Sequence, residues 1–313
     1  MSTFDETPGS DSFSDAERTS SAAADSPEVA GDPFIYPAGA VASDGTRVAQ
    51  ISPESARVLP EDLRVPWSWA HFIVFLFFSF ASLVVVQMAL AIYFGPRQPL
   101  TRDQYEQYLL NKPQLLFGSN LIWFALIFLF LYVTLAVLRG APFWKSLGWR
   151  PLRASPTGGS HKPWAYFISG CGVAVFVALA SSRVHTSENM PIQELFKSRS
   201  NAFLLMAMAV FVAPLVEETI FRGYLYPLFA KSFGVWTSIV LTGVLFGLMH
   251  GSQLAWSWGI VALLVVVGII FTFARATAGT VVASFLLHLG YNSMIAVTTI
   301  ISTHGFTRMP PLH

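Results

Sequence analysis

The sequence predicts an all-α fold, a polytopic transmembrane bundle of seven to eight helices. Three observations predict it. Hydrophobic residues make up 53% of the chain and charged residues only 12%, about half the charge that a water-facing globular surface carries. The apolar residues gather into seven long runs of the length that crosses a hydrocarbon core. Aromatic residues reach 14%, nine of them Trp, which suits anchors at two membrane–water interfaces. The net charge of +1 and the lack of any basic stripe argue against nucleic acid as a partner. The single cysteine, Cys171, lies in an apolar run, so an internal disulfide and a cysteine zinc site are both excluded.

Residues 1–66 form the first region. They are rich in Ser, Asp, Glu, Ala and Pro and poor in large apolar side chains. Such a stretch buries too little apolar surface to offset its ordering entropy, so a disordered tail is expected. No basic start runs into an apolar core, so this is not a secretory signal. Residues 67–162 hold the first two apolar runs, at 67–94 and 115–138, and a basic loop. Residues 163–313 hold the rest, at 164–182, 201–216, 235–249, 257–273 and 280–302. The 201–216 and 235–249 runs become spans only by continuing through Glu217 and Glu218, or through His250. A further stretch, 223–234, could add an eighth, re-entrant or interfacial element.

Orientation follows from Lys and Arg in the loops. Arg139, Lys145, Arg150, Arg153 and Lys162 lie between the second and third runs without an acidic residue, which marks this loop as cytoplasmic. The N-terminal tail is then cytoplasmic, the 95–114 and 183–200 loops lie outside, and Arg222, Lys231 and Arg275 fall inside. An integral plasma (inner) membrane protein is expected.

Three stretches break the apolar pattern: Glu217-Glu218-Thr219-Ile220-Phe221-Arg222, Phe246-Gly247-Leu248-Met249-His250, and His288-Leu289-Gly290-Tyr291-Asn292. A charged side chain at membrane depth costs about 2.5–3.5 kcal/mol on insertion scales, so each asks for a function or a partner. Glu218 and Arg222 are four residues apart, on one helix face. The pairs Phe246/His250 and His288/Asn292 repeat that spacing. Glu217 is rotated from Glu218 by about 100°, so the two carboxylates point differently. One division of roles gives Glu218 to Arg222 as an ion pair and leaves Glu217 facing the interior, able to act as a general base toward water.

Peptide hydrolysis in a membrane needs an activated water, donors for the tetrahedral oxyanion, and a wet pocket shielded from lipid. Glu217 with His250 can hold the water, and His288 with Asn292 can supply donors. Alternatively, Glu217, His250 and His288 can ligate a zinc ion that acidifies its water. No His-Glu-x-x-His helix is present.

On these residues the chain resembles the CPBP family of intramembrane proteases, the type II CAAX prenyl protease and bacteriocin-processing (Abi) group. That family is marked by Glu-Glu-x-x-x-Arg, Phe-x-x-x-His and His-x-x-x-Asn, matched in order by Glu217-Glu218-x-x-x-Arg222, Phe246-x-x-x-His250 and His288-x-x-x-Asn292. Phe221-Arg222-Gly223-Tyr224-Leu225 also fits, and Lys145-Ser-Leu-Gly-Trp-Arg150 is a fainter echo. The resemblance implies about eight helices enclosing a conical intramembrane cavity. It implies that Glu217 and His250 activate water, that His288 and Asn292 stabilise the oxyanion, and that Glu218 and Arg222 support the site. Members are described both as metalloproteases and as metal-free glutamate enzymes, so a zinc held by Glu217, His250 and His288 stays open. The expected partners are membrane lipid and a peptide or protein substrate.

Blander readings compete. Glu218 and Arg222 alone make a structural salt bridge. His288 and Asn292 alone are polar glue between helices, which suits a non-catalytic scaffold or an immunity-type protein. A proton-coupled carboxylate suits a transporter, although neither inverted repeats nor a second acidic membrane site is present. His71, His161, His185, His304 and His313 read as incidental, and Trp67, Trp69, Trp256 and Trp258 as interfacial anchors. One tension is internal to the sequence: with straight helices, His250 at the far end of its span lies away from Glu217.

Overall fold

A computed structural model describes residues 60–98, 100–110, 112–152, 162–184, 196 and 198–307. These residues form nine helices and no strand: α1 (Trp69–Phe94), α2 (Arg102–Leu110), α3 (Pro113–Leu131, extended by a wide turn over Tyr132–Val137), the single turn α4 (Phe143–Ser146), α5 (Pro163–Ser181), α6 (Arg199–Phe233), α7 (Val235–Met249), α8 (Trp258–Ala278) and α9 (Val281–Ser302). Six of them, α1, α3, α5, α6, α8 and α9, are long and apolar enough to cross a membrane. The apolar α7 is shorter. The outer faces carry exposed Ile73, Phe77, Phe80, Ile92, Leu179 and Phe211, side chains that water would expel and lipid accepts. The chain is a polytopic helical bundle, as its composition predicts.

α6 is the element the sequence reading divides and the structure joins. It runs unbroken for 35 residues, carrying the 201–216 run, the Glu-Glu-x-x-x-Arg stretch and the segment 223–234 in one helix. It persists by widening twice, into π turns at Met208–Val212 and Thr219–Leu225. A proline follows each, Pro214 and Pro227, at the second residue of the next α-helical stretch. Proline cannot donate to the helix ladder, and an i→i−5 turn before it lets the chain continue with one bond missing. The expected separate eighth element at 223–234 is therefore the last third of α6.

Gly234, at φ 80°, turns the chain directly into α7. Glu217 precedes that glycine by 17 residues and His250 follows it by 16. In a hairpin of two helices rising about 1.5 Å per residue, these residues stand level. The separation expected between His250 and Glu217 came from placing Glu217 near the inner end of its span, with 223–234 as a further element; with α6 carried unbroken to Phe233, it disappears.

Glycines set the remaining packing. A methyl group on Gly243 or Gly247 would meet the α8 backbone at Ile269 or Val265 at 2.6 or 2.7 Å, and one on Gly268 would meet Gly243. A methyl group on Gly170 would lie 1.9 Å from the Leu287 carbonyl oxygen, and one on Gly290 2.0 Å from that of Phe167. So α7 lies against α8, and α9 against α5, at the close approach that small residues permit in membranes. Cys171 adds a contact from Sγ to the Gly290 carbonyl at 3.4 Å.

The last residues of the expected disordered tail are ordered. Residues 1–59 lie outside the described residues, but Pro60–Trp67 packs on the bundle. Leu63, Val65 and Trp67 are buried. The Trp67 indole N–H donates to the Tyr224 carbonyl at 3.2 Å. Asp62 pairs with Arg275 at 2.7 Å, and Glu61 reaches Arg150 at 3.5 Å. Three large apolar residues in eight suffice to fold this piece, so the ordered chain begins before residue 67. His71, read as incidental, is buried and bonds through Nδ1 to the Tyr224 hydroxyl at 2.7 Å.

Candidate active site

The three polar stretches meet between α6, α7 and α9. Glu218 and Arg222 form the closed half. Both are fully buried and share a 2.9 Å ion pair. The guanidinium also donates from Nη2 to the Gly268 carbonyl at 2.9 Å and from Nε to the Thr272 hydroxyl at 3.3 Å. Thr272 in turn donates to Gly268 at 2.7 Å. The Phe246 ring lies 4.5 Å from the guanidinium carbon, and Phe271 5.4 Å, close enough for cation–π attraction. A buried charge left alone is expensive; here carboxylate, carbonyl, hydroxyl and two rings share it.

Glu217 forms the open half. Its side chain is 25% exposed, that of His250 23%, and that of His288 4%. His250 Nε2 lies 3.9 Å from one Glu217 oxygen, and His288 Nε2 lies 3.8 Å from the other. The opposite ring nitrogens are already committed. His250 Nδ1 meets the Phe246 carbonyl at 2.8 Å, and His288 Nδ1 meets Glu218 Oε1 at 2.9 Å. A carbonyl and an ion-paired carboxylate accept, so each Nδ1 carries the proton and donates it. In the neutral rings both Nε2 atoms then present lone pairs toward Glu217. The two gaps exceed a direct hydrogen bond and are the kind that a bridging water fills.

His288 thus touches both carboxylates, the link that spacing within each motif does not reveal. Ser284, one turn earlier on α9, faces Glu218 as well. Asn292 sits one turn beyond His288, and its amide donates to the Ala209 carbonyl at 2.7 Å. That carbonyl belongs to the first wide turn of α6, where Ala213 reaches back five residues to Met208. The next amide in this register belongs to position 214, and proline has none. Asn292 supplies the missing donor and ties α9 to α6.

All six predicted positions come together here: Glu217, Glu218, Arg222, His250, His288 and Asn292. Phe246, Gly268 and Thr272 are the participants that sequence reasoning leaves without a role. Phe246 had a signal, the four-residue spacing to His250. Gly268 acts through its backbone, and Thr272 resembles any threonine bonded to its own helix. The Lys145–Arg150 echo also has a place. Leu147 is buried against Gly223, where an added methyl group would meet its carbonyl oxygen at 2.5 Å. Trp149 donates to Thr219 at 3.1 Å, so the loop braces the second wide turn of α6. Among the described residues no group of three or more His, Cys, Asp or Glu side chains is arranged to hold a metal ion. Glu217, His250 and His288 approach one another without forming such a set.

Residues 199–294 match the family described as Type II CAAX prenyl endopeptidase Rce1-like, and every position of the cluster lies inside that segment. Neither the comparison with curated proteins nor that with solved structures gives a match. The motifs, their order and their convergence in the fold point the same way as this match: the segment 199–294 is similar to the CPBP family, whose members are CAAX-protease-like intramembrane endopeptidases.

Proposed function

We propose that the chain is an intramembrane endopeptidase in which Glu217 and His250 activate a water, and His288 with Asn292 stabilises the oxyanion. One observation carries this reading: two imidazole Nε2 atoms converge on the two oxygens of Glu217 at 3.9 and 3.8 Å, with both Nδ1 atoms held by other acceptors. Glu217 takes a proton from the bridging water as the oxygen attacks the scissile carbonyl. His250 orients that water. In the reacting form His288 holds a second proton on Nε2, taken up from solvent; it donates this N–H as a hydrogen bond to the developing oxyanion, and Glu218 balances the imidazolium through Nδ1. The second N–H of Asn292 is the further donor. Glu217 then passes its proton to the leaving amine, restoring the carboxylate. Arg222 holds Glu218 in place through their ion pair.

The substrate is a peptide or protein that reaches the bundle from the lipid or its interface. The end that gathers Pro60–Trp67, α4 and the α8–α9 turn is assigned to the cytoplasm from its basic loop, in a plasma (inner) membrane. The test is cleavage of a reporter peptide by the purified protein in lipid vesicles. Glu217→Gln and His250→Ala should each lower it at least about a hundredfold, and a chelator should leave the wild-type rate unchanged, with metal analysis of the purified protein run alongside. Wild-type cleavage by either variant would sink the reading. Loss of cleavage on chelation, restored by zinc, would replace the metal-free route with the zinc alternative.

A further inference from the structure

The turn after α7 holds two adjacent non-glycine residues in the left-handed region, Ala255 at φ 48° and Trp256 at φ 53°. L-residues avoid that region, and such backbone persists only where its surroundings fix it. Here the Trp256 amide donates to the Gly251 carbonyl at 2.8 Å, and Ser257 donates to Leu254 at 3.0 Å. The Trp256 indole lies flat on Gly251, where an added methyl group would sit 2.5 Å from two ring carbons. Gly251 itself has ordinary right-handed angles, φ −55° and ψ −44°. It is glycine for space, and the indole takes that space.

The consequence reaches His250, the residue before Gly251. Its amide bonds to Gly247 at 3.2 Å, three residues back, so the helix tightens at its last residue. In the ordinary register that amide would serve Phe246. The freed Phe246 carbonyl is the one His250 Nδ1 takes at 2.8 Å, and this bond turns Nε2 toward Glu217. The geometry points to Trp256 as a positioning residue for the proposed reaction: its indole on Gly251 closes the turn that frees the Phe246 carbonyl and so sets the orientation of His250. The ring is 48% exposed beside Trp258, with centroids 5.5 Å apart. No hydrogen bond or ring contact joins it to Glu217 or His288, so its effect passes through His250.

This inference rests on the proposed role of His250, and its experiment has two readouts. The first is reporter cleavage. Trp256→Ala and Gly251→Ala should each lower kcat about tenfold or more with little change in KM, as small misplacements of a reacting group do. The double variant should be no slower than Trp256→Ala, because the three atoms nearest the added methyl group all belong to the indole. Trp256→Phe should recover most of the rate, which separates positioning from loss of fold. The second is the nitrogen NMR signal of His250 in the full chain, assigned by its loss in His250→Gln. Wild type should show the Nδ1-protonated ring, and Trp256→Ala should lose that preference. Should wild type fail to cleave, the proposed function falls while the His250 signal still decides the positioning. Wild-type kcat in Trp256→Ala, losses that multiply in the double variant, or an unchanged His250 signal would each overturn it.

Discussion

Glu217 and Glu218 are neighbours in the chain, yet the protein treats them as opposites. Glu218 is fully buried, ion-paired to Arg222 at 2.9 Å and bonded to His288. Glu217 is a quarter exposed, and its nearest cationic or ring nitrogens stand 3.8 and 3.9 Å away. One step along a helix, about 100° of rotation, separates a carboxylate held by Arg222 and His288 through Oε1 from one with no direct hydrogen bond to either neighbouring imidazole. On the proposed reading, stability belongs to the first and chemistry to the second. His288, which touches both, is where they join. That division can be broken by substitutions that should move one property without the other.

The largest effect should come from Glu217→Gln, which keeps the shape and removes the base. Its kcat should fall about 10²–10⁴-fold, the range general acid–base catalysis supplies. Its unfolding free energy in detergent or bicelles should stay within about 0.5 kcal/mol of wild type. A large stability loss would show that Glu217 is structural too.

Arg222→Met should do the reverse first. It leaves Glu218 buried without its cation, and breaking a buried pair costs about 3–5 kcal/mol. Replacing both, as Glu218→Leu with Arg222→Met, should recover much of that stability, since no lone charge remains. Cleavage should not return, because His288 has lost the acceptor that holds Nδ1. Equal recovery of stability and cleavage would end the assignment of Glu218 to His288.

Phe246→Leu should cost about 2 kcal/mol, the scale of a desolvated cation–π contact, read from unfolding midpoints. It tests whether the aromatic residue of the Phe246-x-x-x-His250 pair serves Arg222. The backbone carbonyl that holds His250 survives the substitution, so the cost should appear in stability ahead of rate. A variant as stable as wild type would show that the ring only fills space.

The two halves differ in how far the sequence reveals them. The Glu218–Arg222 pair and the divergence of Glu217 follow from helical spacing alone, because both lie within one turn. The approach of His250 does not, because it depends on where α6 ends. Polar residues such as Arg222 and Lys231 interrupt the apolar run, and hydropathy places a boundary where the backbone widens and continues. The partners of Arg222 on α8 are a carbonyl and an already bonded hydroxyl, which carry no side-chain signal. Pro60–Pro66 was hidden for a different reason: averaged over the Ser-, Asp-, Ala- and Pro-rich stretch 1–66, Leu63 and Val65 lose their weight, although together with Trp67 they are buried and hold the segment.

The smallest effect should come from Asn292, and it tests why α6 widens where it does. Asn292→Leu removes the donor to the Ala209 carbonyl. Polar contacts between membrane helices are worth about 0.6 kcal/mol on average in double-mutant cycles, so a stability loss of that order is expected. Pro214→Ala restores a backbone N–H at the position from which the five-residue register would reach Ala209. In that background Asn292→Leu should cost less than in wild type, because the carbonyl has a second donor. If the cost is the same in both backgrounds, Pro214 is not what leaves Ala209 open. The bond from α9 would then be a contact made for its own sake, placing Asn292 beside His288 rather than repairing the helix that carries Glu217.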